Sequence, residues 1–240
     1  MAGKIIVVEG TDCSGKETQT KSLVSHLEQQ GRKVKRYSFP MYDTPTGRII
    51  GGPYLGKKQI CDGWFPETAP NVDPTVSSLY YAADRLYNMP KIVRDLDNGY
   101  DVILDRYLYS NMAHQGGKIE DIEERNKKYE WLYDFEVGFL HELVPDIRIF
   151  IHMPLEGARI LKESRVEDLD QNEADDKHLI NAERAYIEVA EKYDFKTIEA
   201  IRDTNSPITR ENIKTIDEIS NEINNYIDEQ FTIQKVNHLW

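Results

Sequence analysis

The chain has 240 residues, of which 40% are hydrophobic, and its 42 acidic and 30 basic side chains give a formal net charge of -12. This length suits one large domain or two small ones with a buried core, and we expect a single domain. A strongly acidic surface repels phosphate polymers, which argues against an indiscriminate binder of nucleic acids or of anionic membranes. Residues 1–58 reverse the balance, with ten basic against five acidic side chains. We therefore expect a small phosphorylated ligand to bind near this basic region.

The number of cysteines and the amino-terminal residues indicate the cellular compartment. Cys13 and Cys61 are too few for a disulfide framework in a chain of this size, which favours a reducing compartment. The first apolar run, IIVV, is short and has no small-residue cleavage site behind it, so it does not resemble a signal peptide. No stretch approaches the ~20 apolar residues of a membrane span. We expect a cytoplasmic protein that binds no membrane and no nucleic acid.

Short apolar segments alternate along the chain with segments of helical spacing. The apolar segments span residues 4–10, 34–40, 101–107, 147–153 and 195–201, and the clearest helical patterns span 18–31, 74–99 and 209–231. Segments that are β-branched and apolar on both faces are typical of strands in a parallel sheet. The alternation predicts a doubly wound α/β fold, with about five parallel strands flanked by helices on both faces, in one domain over residues 1–240.

Two irregular segments stand out. Residues 43–58 are rich in glycine and proline but begin straight after a predicted strand, which favours a functional loop. Residues 163–178 carry many charges and few aliphatic side chains, which predicts a mobile surface segment. Within it, we expect the acidic run of residues 167–176 to be solvated.

Residues 10–16 have the spacing of a phosphate-binding loop: a glycine, four residues, then glycine and lysine. They follow a predicted strand and precede a predicted helix, as such a loop requires. Backbone N–H groups and the positive end of the helix dipole bind phosphate oxygens there, and Lys16 adds a charge near the transferred group. We interpret Cys13 as a small loop residue rather than a nucleophile, because phosphoryl transfer needs none.

Glu17 occupies the next position, where a serine or threonine hydroxyl normally ligates Mg²⁺. Either water and the nucleotide hold the metal, with Glu17 or Thr18 assisting, or the loop has lost catalysis and only binds. Mg²⁺ keeps several waters and needs only one or two protein carboxylates, so the replacement does not forbid it. We expect catalysis to be retained, because of residues further along the chain.

Asp105, Arg106 and Tyr107 end a predicted buried strand. Open α/β sheets bind their ligands at this carboxyl edge. An aspartate there can serve the metal or the acceptor oxygen, and an arginine can bridge two phosphates. The alternative is an Asp–Arg ion pair that merely closes the strand.

Five motifs together resemble the thymidylate kinases, a family of P-loop nucleoside monophosphate kinases. They occur in the family's order and approximate spacing: EGTDCSGK (9–16), FP (39–40), LYYAADR (79–85), DRY (105–107) and YSNMAHQGG (109–117). The resemblance implies a P-loop NTPase-type fold with a mobile lid at about residues 155–178. It also implies transfer of the γ-phosphoryl group of ATP to dTMP, Mg²⁺ as cofactor, and a homodimer.

The resemblance implies a role for each matching position. The implied catalytic residues are Lys16, Asp105 and Arg106, and the implied metal ligand is Asp105. Glu17 and Thr18 are further candidate ligands from their position after the loop. The implied ATP-binding residues in the loop are Gly10, Thr11, Asp12, Cys13, Ser14, Gly15, Lys16, Glu17 and Thr18. The implied acceptor-binding residues are Asp12, Phe39, Pro40, Tyr81, Arg85, Arg106, Tyr107, Ser110 and Gln115. Tyr81 would stack on the thymine, although periodicity alone favours a core aromatic there.

The chain departs from the family pattern in two places. Many members place an arginine two residues after the FP pair, where this chain has Tyr42, so Arg48 in the same loop is a candidate substitute. The phosphate loop carries no arginine, which implies ATP-binding cations in the lid. Arg159, Lys162 and Arg165 recur at spacings of three and can approach the donor together. A solvated charged face is the alternative.

Two other functions remain open at this stage. Tyr42 and the unusual loop are compatible with a kinase for another nucleotide or for a deoxynucleoside. Glu17 is compatible with a regulatory module that binds ATP without transferring phosphate. An acceptor-phosphate clamp at Asp105 and Arg106 argues against that module, because a switch does not need one.

Overall fold

The computed structural model describes residues 3–11, 13–162 and 170–237. Its strands are β1 (Ile5–Gly10), β2 (Val34–Ser38), β3 (Asp101–Asp105), β4 (Ile147–His152) and β5 (Lys196–Glu199). They form one sheet in the order β2-β3-β1-β4-β5, and every pairing is parallel. Each strand lies within a predicted apolar segment, so the predicted α/β fold with about five parallel strands is confirmed.

Helices flank the sheet. In chain order they are α1 (Lys16–Gln29), α2 (Pro45–Ile49), α3 (Pro74–Asp97), α4 (Leu108–Gly116), α5 (Ile122–Tyr133), α6 (Leu155–Lys162), α7 (Asp176–Lys192) and α8 (Ile216–Asn237). Short π-helical turns follow α2 (Ile50–Tyr54) and α5 (Asp134–Phe139), and a 3-10 turn spans Ala69–Asn71. Within the described ranges, no helix combines the length and the apolar character needed to cross a membrane.

The last helix begins and ends later than predicted. The isoleucine spacing predicts residues 209–231, but α8 runs from Ile216 to Asn237. Before it the chain turns, and Ile213 pairs antiparallel with Ile201. Thr215 and Glu218 then exchange hydrogen bonds: Glu218 N donates to Thr215 Oγ1 at 3.2 Å, and Thr215 N donates to Glu218 Oε2 at 2.7 Å. This reciprocal cap starts the helix at Ile216.

Apolar side chains form a core on each face of the sheet. On one face, α1 and α8 bury residues such as Leu23 and Ile223 against the strands. On the other face, α3 and α4 bury residues such as Ile92 and Met112. Every residue of β1 is buried, so the central strand is fixed on both faces. Its carboxyl end is therefore a firm base for the loop that follows.

The phosphate loop lies between the ends of two neighbouring strands. Val8 pairs in register with Asp105 of β3, and Gly10 pairs with Ile151 of β4. The residues that follow β1, β3 and β4 therefore meet at one edge of the sheet. The chain changes sides of the sheet here, which is where doubly wound folds bind ligands.

The predicted lid is described in part. Residues 163–169 lie outside the described residues, and a turn at 170–175 leads into α7. The prediction of a solvated acidic run is wrong for Asp170, which is buried and bonds Lys57 Nζ at 2.9 Å. Asn172 is buried as well. The reason is that this turn packs against the loop after α2, which the charge pattern alone does not reveal.

Candidate active site

A cleft of about 900 Å³ opens at the carboxyl edge of the sheet. The phosphate loop and the start of α1 contribute Cys13, Gly15, Lys16, Glu17 and Thr18 to its lining. The loop after β2 and helix α3 contribute Phe39, Pro40, Tyr42, Tyr81 and Arg85, and the segment after β3 contributes Asp105, Arg106, Tyr107 and Ser110. Residues predicted from three distant parts of the chain therefore share one cleft.

The phosphate loop closes around the side chain of Lys16. The buried Nζ of Lys16 donates hydrogen bonds to the carbonyl oxygens of Gly10 at 2.8 Å and Thr11 at 2.7 Å. Gly15 has a φ of 80°, in the left-handed region that favours glycine. A Cβ on Gly10 would lie 2.7 Å from the carbonyl oxygen of Ile151. Both glycines are therefore needed to hold this cation at the amino terminus of α1.

Thr11 joins the phosphate loop to the end of β4. Its hydroxyl donates to the carbonyl oxygen of Met153 at 2.7 Å and accepts from Met153 N at 3.1 Å. Gly10, Thr11 and Ser14 do not line the cleft and support the loop from behind. The loop position is thus fixed by β4 as well as by β1.

Three oxygen-bearing residues suit the implied metal ion. Glu17 and Thr18 are exposed at the start of α1, Asp105 ends β3, and all three line the cleft. Carboxylate and hydroxyl oxygens are the ligands that Mg²⁺ prefers, and the ion usually completes its shell with water and phosphate. The donor set therefore fits Mg²⁺, although the described residues contain no cluster of three or more acidic, histidine or cysteine side chains placed to hold a metal.

Asp105 has an ion-pair partner that the sequence does not suggest. Its carboxylate pairs with the guanidinium of Arg36, which reaches over from β2. The Nε of Arg36 also donates to the hydroxyl of Thr20 at 2.7 Å. The pair that closes this strand is thus Asp105 with Arg36 of the neighbouring strand. It holds the Asp105 carboxylate toward α1 and the phosphate loop.

Arg106 is held in an uncommon backbone conformation. Its φ is 66°, a region that costs a non-glycine residue energy and that clusters at functional sites. The backbone N–H donates to Val8 O at 3.1 Å, which ties the residue to β1. The guanidinium Nη1 donates to the Tyr186 hydroxyl at 2.9 Å and lies 3.3 Å from His114 Nε2. The cation is therefore positioned in the cleft by α4 and α7.

Glu9 is a buried acid within the electrostatic reach of Arg106 and Lys16. Its Oε1 accepts hydrogen bonds from Tyr107 N at 2.7 Å and Ser110 N at 3.1 Å, and its Oε2 accepts from the Ser110 hydroxyl. Burial raises the pKa of Glu9 from 4.5 to about 7, against the opposing effects of these hydrogen bonds and of Arg106 and Lys16. Glu9 thus joins the end of β1 to the start of α4.

The raised pKa of Glu9 predicts a pH-dependent stability. The folded state holds this proton more tightly than the unfolded state, so the contribution is lost as the pH rises from about 4.5 to 7. Relative to Glu9→Gln, we expect the free energy of unfolding of the unmodified chain to fall by about 3 kcal/mol over that interval. Urea unfolding at several pH values measures the difference. Parallel curves for the two proteins would contradict the prediction.

Comparisons with known proteins agree on one family. The thymidylate kinase family model matches residues 8–208. A thymidylate kinase from Dictyostelium discoideum is 30% identical over 230 residues, which cover 95% of this chain and 86% of that protein. The chain belongs to the thymidylate kinase family. A probable thymidylate kinase from Pyrococcus abyssi is 35% identical over 156 residues, covering 65% of this chain and 67% of that protein.

A solved structure supports the same fold. The thymidylate kinase of Candida albicans superposes with a TM-score of 0.68 at 22% identity, covering 95% of this chain and 92% of that chain. The resemblance to the thymidylate kinases and the P-loop NTPase-type fold predicted from the motifs are thereby confirmed. The roles of individual residues stay predictions.

Arg85 lies in a buried cluster of charges at the cleft. Its Nε donates to Glu136 Oε2 at 2.6 Å and lies 3.4 Å from Glu142 Oε2. Burial raises the pKa of Glu142 to about 8 and that of Glu136 as well, while Arg85 opposes both shifts. Asn111 donates from Nδ2 to Glu136 Oε1 at 2.9 Å. Two acids thus hold one arginine at the cleft wall.

Tyr81 lies at the cleft and also within an aromatic cluster. It lines the cleft, and its ring packs edge-on against Tyr54 with the centroids 5.8 Å apart. The two rings belong to a small apolar cluster between α2 and α3. An aromatic ring that is fixed from behind by others can present its free face to a base. Stacking on the thymine stays a prediction.

Several predicted residues do not reach the cleft. Arg48 is exposed on α2, and the cation beside Tyr42 is Lys57, whose Nζ lies 5.2 Å from the centre of the Tyr42 ring. Gln115 is fully buried and does not line the cleft. Arg159 pairs with Asp176 at 2.8 Å on the surface. Arg48 is exposed on the short α2 helix, and Gln115 lies on the inward face of α4. The roles of Arg48, Gln115 and Arg159 stay predictions.

Other predicted residues cannot be placed. Asp12 and Arg165 lie outside the described residues, and so does the Lys162 side chain. Their roles toward ATP and the deoxyribose stay predictions from the family resemblance.

Sequence reasoning missed residues that meet the site from elsewhere. They include Glu9, Arg36, Lys57, Asn111, His114, Asp170, Asn172 and Glu173, of which all but Glu9 line the cleft. A signal existed for Glu9, because an acid at the end of an entirely apolar strand must be compensated inside the protein. The residues after the lid carried no such signal.

Proposed function

We propose that this chain transfers the γ-phosphoryl group of ATP to dTMP, giving dTDP and ADP. The observation that carries the proposal is the shared cleft, in which a phosphate loop, a basic strand end and an aromatic wall face one another. Membership of the thymidylate kinase family supports dTMP as the acceptor. The chain is accordingly an enzyme, a nucleoside monophosphate kinase.

The donor end of the proposed reaction is the phosphate loop. Its backbone N–H groups and the amino terminus of α1 attract the ATP phosphates. Lys16 supplies a positive charge whose position is fixed by the loop carbonyls. The proposed mechanism includes no covalent bond between the protein and the phosphoryl group, because phosphoryl transfer relies on alignment and charge neutralisation.

Arg106 is the proposed bridge between the two phosphates. It follows β3, adjacent to β1 and its phosphate loop, and lines the cleft. A planar guanidinium can bond two phosphate oxygens at once, which suits a group shared between donor and acceptor. Tyr186 and His114 fix its direction, so little rearrangement is needed when charge moves toward the acceptor.

The acceptor end of the proposed site is the wall made by α3 and the loop after β2. Tyr81 and Phe39 provide apolar surface for the thymine and the sugar, and Arg85 supplies hydrogen-bond donors. The buried acids behind Arg85 hold it in place, so the base meets a fixed cation. Tyr107 and Ser110 extend this wall toward Arg106.

Mg²⁺ is the proposed cofactor. When bound with ATP it neutralises charge on the phosphates. Glu17, Thr18 and Asp105 are the residues that would hold it, directly or through water. Arg36 would keep the Asp105 carboxylate directed toward the loop.

A homodimer in the cytoplasm completes the proposal. Helix α3 exposes Val76, Leu79 and Leu86 at spacings of three and seven, so they share one side of the helix. A second copy that buried this side would remove the apolar surface from water. Light scattering is expected to give about twice the chain mass of 27.9 kDa, and the mass of one chain would contradict the dimer. Cys13 and Cys61 carry thiols rather than a disulfide, which suits a reducing location.

A panel of acceptors tests the proposed reaction. The purified chain is given ATP with dTMP, dUMP, dCMP, UMP or thymidine, with and without Mg²⁺. We expect dTDP from dTMP, and no product when EDTA removes the metal. Calorimetric binding of ATP and Mg²⁺ without any diphosphate product would contradict the kinase and favour the regulatory module.

A further inference from the structure

The turn after the lid, residues 170–174, forms part of the cleft wall. Asp170, Asn172 and Glu173 line the cleft. Asp170 Oδ1 accepts hydrogen bonds from Asn172 N at 3.0 Å and from Glu173 N at 3.0 Å. An aspartate that bonds the backbone N–H groups two and three residues further on forms a turn by itself. The shape of this turn therefore does not depend on a ligand.

The same turn is anchored to the loop after α2. Asp170 pairs with Lys57 at 2.9 Å, and Gln171 Oε1 accepts from Ala69 N at 2.8 Å. A Cβ on Gly63 would lie 2.6 Å from Gln171 Nε2, so a glycine at this position makes room for the Gln171 side chain. These contacts link the turn to the wall that carries Tyr42 and fix its position in the cleft.

Asn172 contributes an unused hydrogen-bond acceptor to this wall. The residue is 7% exposed, and its Oδ1 is buried without a partner among the described residues. A buried carbonyl without a partner destabilises a folded protein, and few survive in native structures. The turn itself uses only the Asn172 backbone. No described group uses the side-chain oxygen. It is shielded from solvent, so it reaches a molecule in the cleft only after the side-chain amide rotates toward the cleft that the residue lines.

We propose that Asn172 is a specificity-determining residue whose Oδ1 accepts a hydrogen bond from the acceptor nucleotide. The inference rests on the proposed function and adds a contact to it. Two groups of dTMP can donate: the imide N–H of the base and the 3′-hydroxyl of the sugar. Both are neutral donors, as suits a neutral oxygen beside the carboxylates of Asp170 and Glu173.

Asn172→Leu separates a binding role from a structural one. Leucine has nearly the shape of asparagine and removes the unsatisfied oxygen, so the melting temperature should stay the same or rise. The KM for dTMP should rise about tenfold, with kcat changed less than twofold and the KM for ATP unchanged. A purely structural role predicts the reverse, a lower melting temperature with an unchanged KM.

Asn224→Leu is the matched control. Its Oδ1 is also buried without a partner among the described residues, but it belongs to α8 and does not line the cleft. The chemistry of the substitution is the same as at Asn172. The KM for dTMP should remain that of the unmodified chain.

Two analogues identify the donor. N3-methyl-dTMP lacks the imide N–H, and 3′-deoxythymidine monophosphate lacks the hydroxyl. The analogue that lacks the true donor should show the same KM with Asn172→Leu as with the unmodified chain, whereas the other should keep the tenfold difference. A tenfold difference that persists with both analogues, or an unchanged KM for dTMP, would overturn the inference. Failure of the unmodified chain to phosphorylate dTMP would instead overturn the proposed function.

Discussion

Replacing Arg106 with alanine is expected to lower turnover about 10³- to 10⁵-fold, the range seen when a bridging arginine is removed from a phosphoryl-transfer site. The guanidinium follows β3 in the cleft, and the other two arginines of the cleft lining, Arg36 and Arg85, are engaged by Asp105 and Glu136. The KM for ATP should change much less, because the phosphate loop and Lys16 remain. Steady-state kinetics with dTMP and ATP measure both quantities.

The fold should survive this substitution. Arg106 has a φ of 66°, and alanine pays the same backbone cost at that angle, so the substitution adds no strain. The side chain is only partly buried, and Glu9 keeps its hydrogen bonds to Tyr107 N and Ser110. Arg106→Lys retains the charge but loses the fork, and turnover should stay low. The exposed Arg210→Ala serves as control. Near-normal turnover of Arg106→Ala would remove this residue from the mechanism.

The core of the site could be predicted because its residues sit at strand ends inside short motifs. Lys16 is specified by glycine spacing, and Asp105 and Arg106 by their position after an apolar run. Local sequence records these features because the chemistry depends on backbone geometry over a few residues. The five strands could be predicted as well, since each is a short apolar segment between helical patterns.

The rest of the site depends on contacts between distant parts of the chain. Glu9 meets Tyr107 N and Ser110, about a hundred positions away. Asp170 is buried because Lys57 lies opposite, and charge composition alone assigned it to the surface. Arg48 was predicted to replace the family arginine because it lies in the same loop. The sequence pattern does not show that it is exposed on α2. Tertiary pairing, which single-sequence periodicity does not encode, decided each of these cases.

Arg85→Met is expected to lower the free energy of unfolding by about 3–5 kcal/mol, because it leaves two buried carboxylates without their cation. Glu136 and Glu142 are both fully buried at the side chain. Burial already raises the pKa of both acids, and removing Arg85 raises each further. The unmodified chain already holds the Glu142 proton up to about pH 8, so the extra loss in the variant should grow mainly as the pH rises through 8 and beyond. Urea unfolding from pH 5 to 9 measures this trend.

A combined variant separates stability from recognition. Adding Glu136→Gln and Glu142→Gln removes both stranded charges, and a glutamine at 136 can still accept from Asn111 Nδ2. Most of the lost stability should return, because the cost lies in the uncompensated charges rather than in a missing attraction. Binding of dTMP should remain weak, because no cation faces the base. Recovery of both stability and dTMP affinity would show that Arg85 is only structural, and a loss below about 1 kcal/mol in Arg85→Met would contradict the charge argument itself.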